Sequence, residues 1–353
     1  MARVLVTGAT GFIGSHLVHA LLTRGDDVRV TLRPASPTTA LEGLDVEGVT
    51  ADITDARAMR RAAKGIERAF HVAGTVNLRK PTDAVLRTNA EGTRTVLDAC
   101  LAAGVERAVH VSSVAAIGPA RPGGALDERH VWSGPLGIPY ADGKHAAEVE
   151  ALRVAARGLD VVVASPAHVL GRGDERRSST EVVRRFLLRR IPVYVPGAIN
   201  VVDVRDVAAG HLLADARGVP GERYILGTRN YTWERLFADL TRLSGVEGPA
   251  LELPVGVALA LAEAAARGPL RAPVSPAEVR AAGLWWTCKS TKARRELGWT
   301  TRSHEDTVEE TVRWWQGQLG ERLVRAPRAQ PLPWRLAALV ARTLEGVGDR
   351  LPR

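Results

Sequence analysis

Short apolar runs alternate with longer amphipathic stretches along the first 165 residues. Arg3-Val4-Leu5-Val6 is an apolar run of strand type. It breaks into Thr7-Gly8-Ala9-Thr10-Gly11-Phe12-Ile13-Gly14, after which Leu17, Leu21 and Leu22 recur at helical spacing. Gly25 closes that helix, and Val28-Arg29-Val30-Thr31-Leu32 alternates as a second strand. A third strand ends at Thr50-Ala51-Asp52-Ile53, and Ala69-Phe70-His71-Val72-Ala73-Gly74 runs into a small-residue turn. Thr82 to Ala103 reads as one long amphipathic helix with Val85, Ala90, Val96, Leu97 and Leu101 on one side. Ala108-Val109-His110-Val111 then delivers Ser112-Ser113, and a further helix starts at Pro139 and continues through Val149 and Leu152. This alternation predicts an α/β fold with a doubly wound parallel sheet. Right-handed crossovers place every strand's carboxyl end on one edge, so the glycine turn, Asp52, Gly74 and Ser113 converge there.

The pattern changes near residue 166. Gly171-Arg172-Gly173-Asp174-Glu175-Arg176-Arg177 is polar and reads as a loop over the active edge, before a helix around Val182 to Leu188. Val201 to Val207 is expected to return to the sheet domain and lead a helix containing His211. From Tyr231 a smaller, mostly helical lobe follows, with helices near 233–243, 254–266 and 304–316. The expected division is 1–165 with about 199–228 as a nucleotide-binding Rossmann domain, 166–198 and 229–317 as a substrate lobe, and 318–353 as an extension. In that extension Leu336, Leu339, Val340, Leu344 and Val347 form an apolar stripe among arginines. Packing on its own domain or on a second subunit is preferred to contact with an anionic membrane surface.

Composition narrows the class. The 353 residues are 45% hydrophobic and 25% charged, ordinary for a globular protein, and no window is long and apolar enough for a membrane span. The chain begins on a core strand, so no leader is expected. Cys100 and Cys288 read as free thiols of a reducing compartment, with the cytoplasm as the expected location. The net charge of +9 comes from arginines spread along the chain without an RNA or DNA motif, so nucleic acid is not an expected partner.

The candidate chemistry lies on the shared edge. Glycines between a strand and a helix let backbone N–H groups approach a pyrophosphate, and the helix dipole adds positive potential. The second strand ends in Leu32-Arg33 with no acid to take a ribose 2′-hydroxyl. An arginine there suits a 2′-phosphate, so NADP(H) is expected, with NAD(H) as the alternative. Asp52 would meet the adenine amino group, and Ala73-Gly74 would lie close to a ribose. Tyr140 and Lys144 stand four apart on one helical face. A free phenol titrates near pH ~10, and an ammonium beside it is expected to lower that value. Ser113 would then orient a carbonyl oxygen beside Tyr140 while hydride arrives from the cofactor. His71 and His211 read as structural residues. Trp285-Trp286 and Trp314-Trp315 read as packing aromatics, with an apolar substrate pocket as the second reading. No metal site is expected.

TGATGFIG at 7–14, the strand ending in Ser112-Ser113 and YADGK at 140–144 resemble the extended short-chain dehydrogenase/reductase family over roughly residues 2–317. LRP at 32–34, FHVAG at 70–74, NAEGT at 89–93, VHVSSVAAIG at 109–118 and SPAHVLG at 165–171 are similar to its dihydroflavonol-reductase-like branch. That branch includes carbonyl reductases, hydroxysteroid dehydrogenase-like enzymes and hopanoid-associated sugar epimerases. The resemblance implies an active-site trio of Ser113, Tyr140 and Lys144 supported by Asn89, with Ser112 a less fitting alternative to Ser113. It implies a cofactor lining of Gly8, Thr10, Gly11, Phe12, Ile13, Gly14, Arg33, Asp52, Ile53, Ala73, Gly74, Tyr140, Lys144, Pro166 and Ala167. It also implies a homodimer paired through the helices that contain Asn89 and Tyr140. Gly143 departs from the serine common before the lysine. Val114-Ala115-Ala116 replaces the Thr-Asp-Glu of sugar dehydratases, and Ser165-Pro166-Ala167-His168 replaces the Tyr-Phe-Asn of nucleotide-sugar enzymes. The expected reaction is therefore the interconversion of a small-molecule ketone or aldehyde and its alcohol. A nucleotide-sugar epimerase that reduces its cofactor transiently is the alternative.

Overall fold

The computed structural model describes residues 1–34, 36–79, 82–267, 274–324 and 329–330. Its first half builds β1 (Arg3–Thr7), α1 (Phe12–Arg24), β2 (Asp27–Leu32), β3 (Glu47–Thr50), α2 (Ala56–Ala63) and β4 (Arg68–His71). Then come α3 (Thr82–Leu86), α4 (Gly92–Ala102), β5 (Arg107–Val111), α5 (Pro139–Ala155) and β6 (Asp160–Pro166). Next are β7 (His168–Leu170), α6 (Glu181–Leu187), β8 (Val193–Tyr194), β9 (Ala198–Asp203), α7 (Val204–Arg217) and β10 (Arg223–Leu226). The chain finishes with β11 (Arg229–Thr232), α8 (Trp233–Ser244), β12 (Leu251–Glu252), α9 (Val255–Arg267), α10 (Pro276–Ala282), β13 (Trp285–Trp286), α11 (His304–Leu319) and α12 (Glu321–Val324).

A seven-stranded parallel sheet runs in the order β10-β6-β5-β4-β1-β2-β3, as expected of a doubly wound Rossmann fold. Successive residues of β1 face opposite sides, which explains its unbroken apolar run. Val4 and Val6 join Leu17, Leu21, Val204 and Val207 beneath α1 and α7. Leu5 joins Met59, Val96, Leu97, Ala151 and Val154 beneath α2, α4 and α5.

Two elements differ from expectation. The helical stretch 82–103 is interrupted by a π-turn at Arg87–Glu91, and this turn carries Asn89 inward. The strand before α7 does not rejoin the large sheet. β9 pairs instead with β7, β11 and β13 in a smaller sheet, and all six of its residues are buried. The edge of β6 is taken by β10, in register from Arg223–Val163 to Leu226–Pro166. Only α7 returns, packed on α1 and the large sheet. α6, α8 and α11 share a core of Phe186, Leu236, Phe237, Leu240, Val308, Val312 and Trp315.

Cys100 and Cys288 are free and buried, and burial pushes the Cys100 thiol up to about 12. Among the described residues no helix is long and apolar enough to cross a membrane. The apolar stripe Leu336 to Val347 lies outside the described residues.

Candidate active site

The glycine turn is held tight by contacts that exclude side chains. Gly8 has φ 72°, and a Cβ there would sit 2.7 Å from Ala73 N. A Cβ on Gly14 would lie 2.1 Å from Gly8 O. Gly11 N donates to Gly8 O at 3.0 Å, and Gly11 starts α1 with no side-chain cap. The first-turn N–H groups of α1 therefore lack a side-chain partner and face the turn, an arrangement suited to an anion. Phe12 is buried in the core beneath, and Ile13 packs partly buried against it.

The other expected cofactor residues border this cradle. Arg33 is exposed at the end of β2. Asp52 Oδ1 accepts from the Thr54 N–H at 2.9 Å and hydroxyl at 2.7 Å. These bonds, with Arg33 nearby, hold the Asp52 carboxyl below its usual range. Ile53 is buried against the bare face of Gly92. Ala73 N donates to Thr7 Oγ1 at 3.3 Å. A Cβ on Gly74 would lie 3.2 Å from Asn89 Oδ1 and 3.5 Å from Lys144 Nζ, so bare backbone lies beside the lysine. Pro166 ends β6, and Ala167 N donates to Leu226 O at 2.9 Å. A turn that tolerates no Cβ, an uncapped helix start and bare backbone beside a lysine fit a nicotinamide dinucleotide lying across the edge.

Tyr140 is half-buried at the start of α5, with Ser113 near enough to act on its hydroxyl. Burial pushes the phenol above its ordinary value, opposed by Ser113. The lowering expected from Lys144 is therefore corrected. Lys144 Nζ donates to Val111 O at 2.8 Å, and burial lowers its own value to about 8 while Glu148 acts to raise it. Helical spacing brings the two residues to one face but does not decide where the ammonium points.

Ser113 also caps the short turn after β5, its Oγ accepting from Ala115 N at 3.1 Å. Ser112 is committed elsewhere, because its Oγ donates to Glu148 Oε2 at 2.6 Å. Glu148 is buried, and its Oε1 accepts from Arg223 Nε at 2.6 Å and also pairs with Nη2 of that guanidinium. Asn89 secures the segment after β4: Oδ1 accepts from Thr75 N at 2.8 Å and Nδ2 donates to Thr75 O at 3.2 Å. Gly143 permits close packing of α5, since a Cβ would lie 2.9 Å from Val85 Cγ1 and 3.3 Å from Asn89 Nδ2.

His71 is pinned between Thr7 Oγ1 at 2.8 Å and Thr93 Oγ1 at 2.9 Å, and burial lowers it to about 3. His211 Nδ1 donates to Val207 O at 2.6 Å, and burial lowers it to about 4. Both are neutral packing residues.

Sequence reasoning missed several neighbours. Glu148 lies one turn beyond Lys144 and was legible from that spacing, whereas Arg223 and Thr75 carry no local signal. An apolar cluster also surrounds Tyr140, formed by Ala115, Ile138 and Ala141 with Leu78, Trp132, Leu136, Leu284 and Trp286. Trp132 stacks on His145 with centroids 4.2 Å apart, and Trp286 Nε1 donates to Ala281 O at 2.7 Å. Trp286 thus packs both against this cluster and against the helical core that holds Trp314 and Trp315.

A doubly wound sheet with a dinucleotide cradle at its carboxyl edge and Ser, Tyr and Lys side chains beside it defines a nicotinamide-dependent oxidoreductase. The chain belongs to the NAD dependent epimerase/dehydratase family, whose model matches residues 4–227, and is of the extended short-chain dehydrogenase/reductase type. It is 37% identical over 322 residues to a protein of Synechocystis sp. named for dihydroflavonol 4-reductase, covering 88% of this chain and 94% of that one. Sterol demethylase protein B of Methylococcus capsulatus is 36% identical over 322 residues, covering 88% and 98%. The crystal structure of gox2253 superposes with a TM-score of 0.80 at 33% identity, covering 91% of this chain and 99% of that one.

Proposed function

We propose that the protein interconverts a ketone or aldehyde and its alcohol with NADP(H). The observation that carries this reading is the placement of Tyr140 one helical turn from buried Lys144, whose Nζ lies beside the bare backbone of Gly74, with Ser113 acting on the phenol. When bound, the nicotinamide supplies or accepts the hydride. With its value raised by burial, Tyr140 stays protonated at neutral pH and donates its phenolic proton to the carbonyl oxygen during reduction. Ser113 orients that oxygen by a second hydrogen bond. Lys144 places positive charge under the site and, with Gly74, holds the nicotinamide ribose. Asn89 fixes Thr75 and so the strand end that borders this ribose. In this division of labour residues 1–165 with α7 and β10 hold the cofactor, and 166–203 with 229–317 hold the substrate.

The apolar cluster around Tyr140 favours a substrate whose carbonyl is carried on apolar structure. The reductase-named relative and the sterol-demethylation-named relative support the same direction. Arg33, in place of an acid after β2, supports NADP(H) over NAD(H). The family model's description also includes epimerases, which favours a second reading as a nucleotide-sugar epimerase. Ser165-Pro166-Ala167-His168, where nucleotide-sugar enzymes commonly show Tyr-Phe-Asn, weighs against it.

A panel of apolar ketones and aldehydes with NADPH, followed at the nicotinamide absorbance, tests the proposal. Net NADPH consumption is expected. Tyr140→Phe is expected to lower kcat by roughly 10²- to 10⁴-fold while NADPH still binds. Sugar inversion without net NADPH consumption would establish the second reading, and full turnover by Tyr140→Phe would remove Tyr140 from its role.

A further inference from the structure

Residues 171–180 leave β7 and cross back to the amino-terminal glycine turn. Asp174 organises the crossing and is fully buried. Its Oδ1 accepts from the Ser178 N–H at 3.0 Å and hydroxyl at 2.8 Å. Its Oδ2 accepts from the Thr180 N–H at 3.0 Å and hydroxyl at 2.8 Å. Four donors on one carboxylate fix the turn, and Arg177 is held within it in the left-handed region at φ 55°. The fixed turn aims Arg176 at Thr10, whose Oγ1 accepts from Arg176 Nη2 at 2.6 Å across 166 positions of sequence.

Thr10 lies between Gly8 and Gly11, so Arg176 reaches over the cofactor cradle itself. Although Arg176 is exposed, partial desolvation and the nearby Arg33 guanidinium both disfavour its charge. The nearby acids are Glu175, acting on Arg176, and Asp52, acting on Arg33. Asp52 is already engaged by Thr54. Two cations brought to one corner at the end of β2 are relieved by an anion placed between them. A bound dinucleotide would place its pyrophosphate at the start of α1, whereas its adenosine 2′-substituent would reach the end of β2.

We propose that Arg176 is the second arginine of an adenosine 2′-phosphate site, closing over the cofactor from the 171–178 turn while Arg33 meets the same phosphate from β2. This rests on the NADP(H) preference proposed above and adds a specificity residue from outside the glycine turn and β2. A planar guanidinium on each side can hold a phosphate by paired N–H···O bonds, which an ammonium does not reproduce.

The test is equilibrium binding to the full chain, read from nicotinamide fluorescence, with NADPH and NADH and with adenosine 2′-monophosphate as competitor. Arg176→Gln should weaken NADPH binding by about 10- to 100-fold and change NADH binding by less than about threefold. Arg33→Gln should behave likewise, and the double variant should fall short of the summed single effects because both act on one phosphate. Arg176→Lys should recover only part of the loss, and Arg177→Gln should leave both affinities unchanged. Adenosine 2′-monophosphate should compete with NADPH in the wild type and far more weakly in Arg176→Gln. If the wild type prefers NADPH but Arg176→Gln leaves NADPH affinity intact, or weakens NADPH and NADH equally, the assignment of Arg176 is overturned while the cofactor preference stands. A wild type that prefers NADH overturns both.

Discussion

Glu148→Gln probes how the scaffold sets the charge of Lys144. Glu148 side-chain exposure is 2% and that of Arg223 is 21%, so the variant leaves a largely buried guanidinium without its carboxylate. Breaking such a pair costs about 3–5 kcal/mol, and the partial exposure of Arg223 together with the isosteric amide favours the lower end, ~3 kcal/mol. The second effect is electrostatic. Lys144 has been lowered by burial to about 8, and Glu148 is the acid that opposes the fall. Loss of that charge should lower Lys144 further. If protonated Lys144 is needed for turnover, the alkaline limb of kcat/KM, near pH 8 in the wild type, moves to lower pH in the variant. The stability linkage has a definite sign. Folded Lys144 releases its proton near pH 8, whereas the unfolded chain holds it to pH ~10.4. The unfolded state therefore binds more protons within that window, and the Lys144 contribution to stability rises with pH across it. In Glu148→Gln this rise should begin at lower pH. Urea denaturation followed by tryptophan fluorescence, with carbonyl-reduction rates across neutral and alkaline pH, measures both effects. An unchanged denaturation midpoint together with an unmoved alkaline limb would refute the reasoning.

Two further substitutions test the cradle. Asn89→Ala strands both backbone groups of Thr75 and should cost ~2 kcal/mol in thermal or urea denaturation while weakening cofactor binding; a variant as stable as the wild type would remove Asn89 from its supporting role. Gly14→Ala places a Cβ 2.1 Å from Gly8 O and should cost ~3 kcal/mol and abolish the fluorescence change on adding NADPH. Gly11→Ala, whose Cβ would lie 3.2 Å from the same oxygen, should be milder, and the reverse order would show that the turn is not packed as described.

Much of this arrangement is legible in the sequence because it depends on local rules. The apolar run of β1, the glycines after it and the four-residue spacing of Tyr140 and Lys144 each determine their geometry within a few residues. Their meeting at one edge follows from handedness alone. The destination of Val201-Val202-Asp203 does not, because a strand buried on both faces reads the same in either sheet. Spacing also predicted that Lys144 would lower Tyr140, but the Val111 carbonyl that takes the ammonium comes from a different strand. The contact between Arg176 and Thr10 gave no signal, since nothing in a polar loop states which turn it will reach.

The departures from the family's usual residues become coherent when the contacts of α5 are taken together. Gly143 removes a side chain where α5 meets Val85 and Asn89, allowing the helix to approach the π-turn closely. Lys144 follows on the same helix and reaches Val111, and Glu148, one turn later, ties α5 to Ser112 and to Arg223 of β10. Strand ends β5 and β10 and the segment after β4 are thus fastened to one helix, which also carries Tyr140. A serine at 143 would have to displace Val85 or Asn89, and the Asn89–Thr75 clamp beside Gly74 would move with it. The missing hydroxyl is therefore explained by packing: the absence of a side chain at 143 lets the support behind the proton donor and the backbone beside the ribose be set by the same contact.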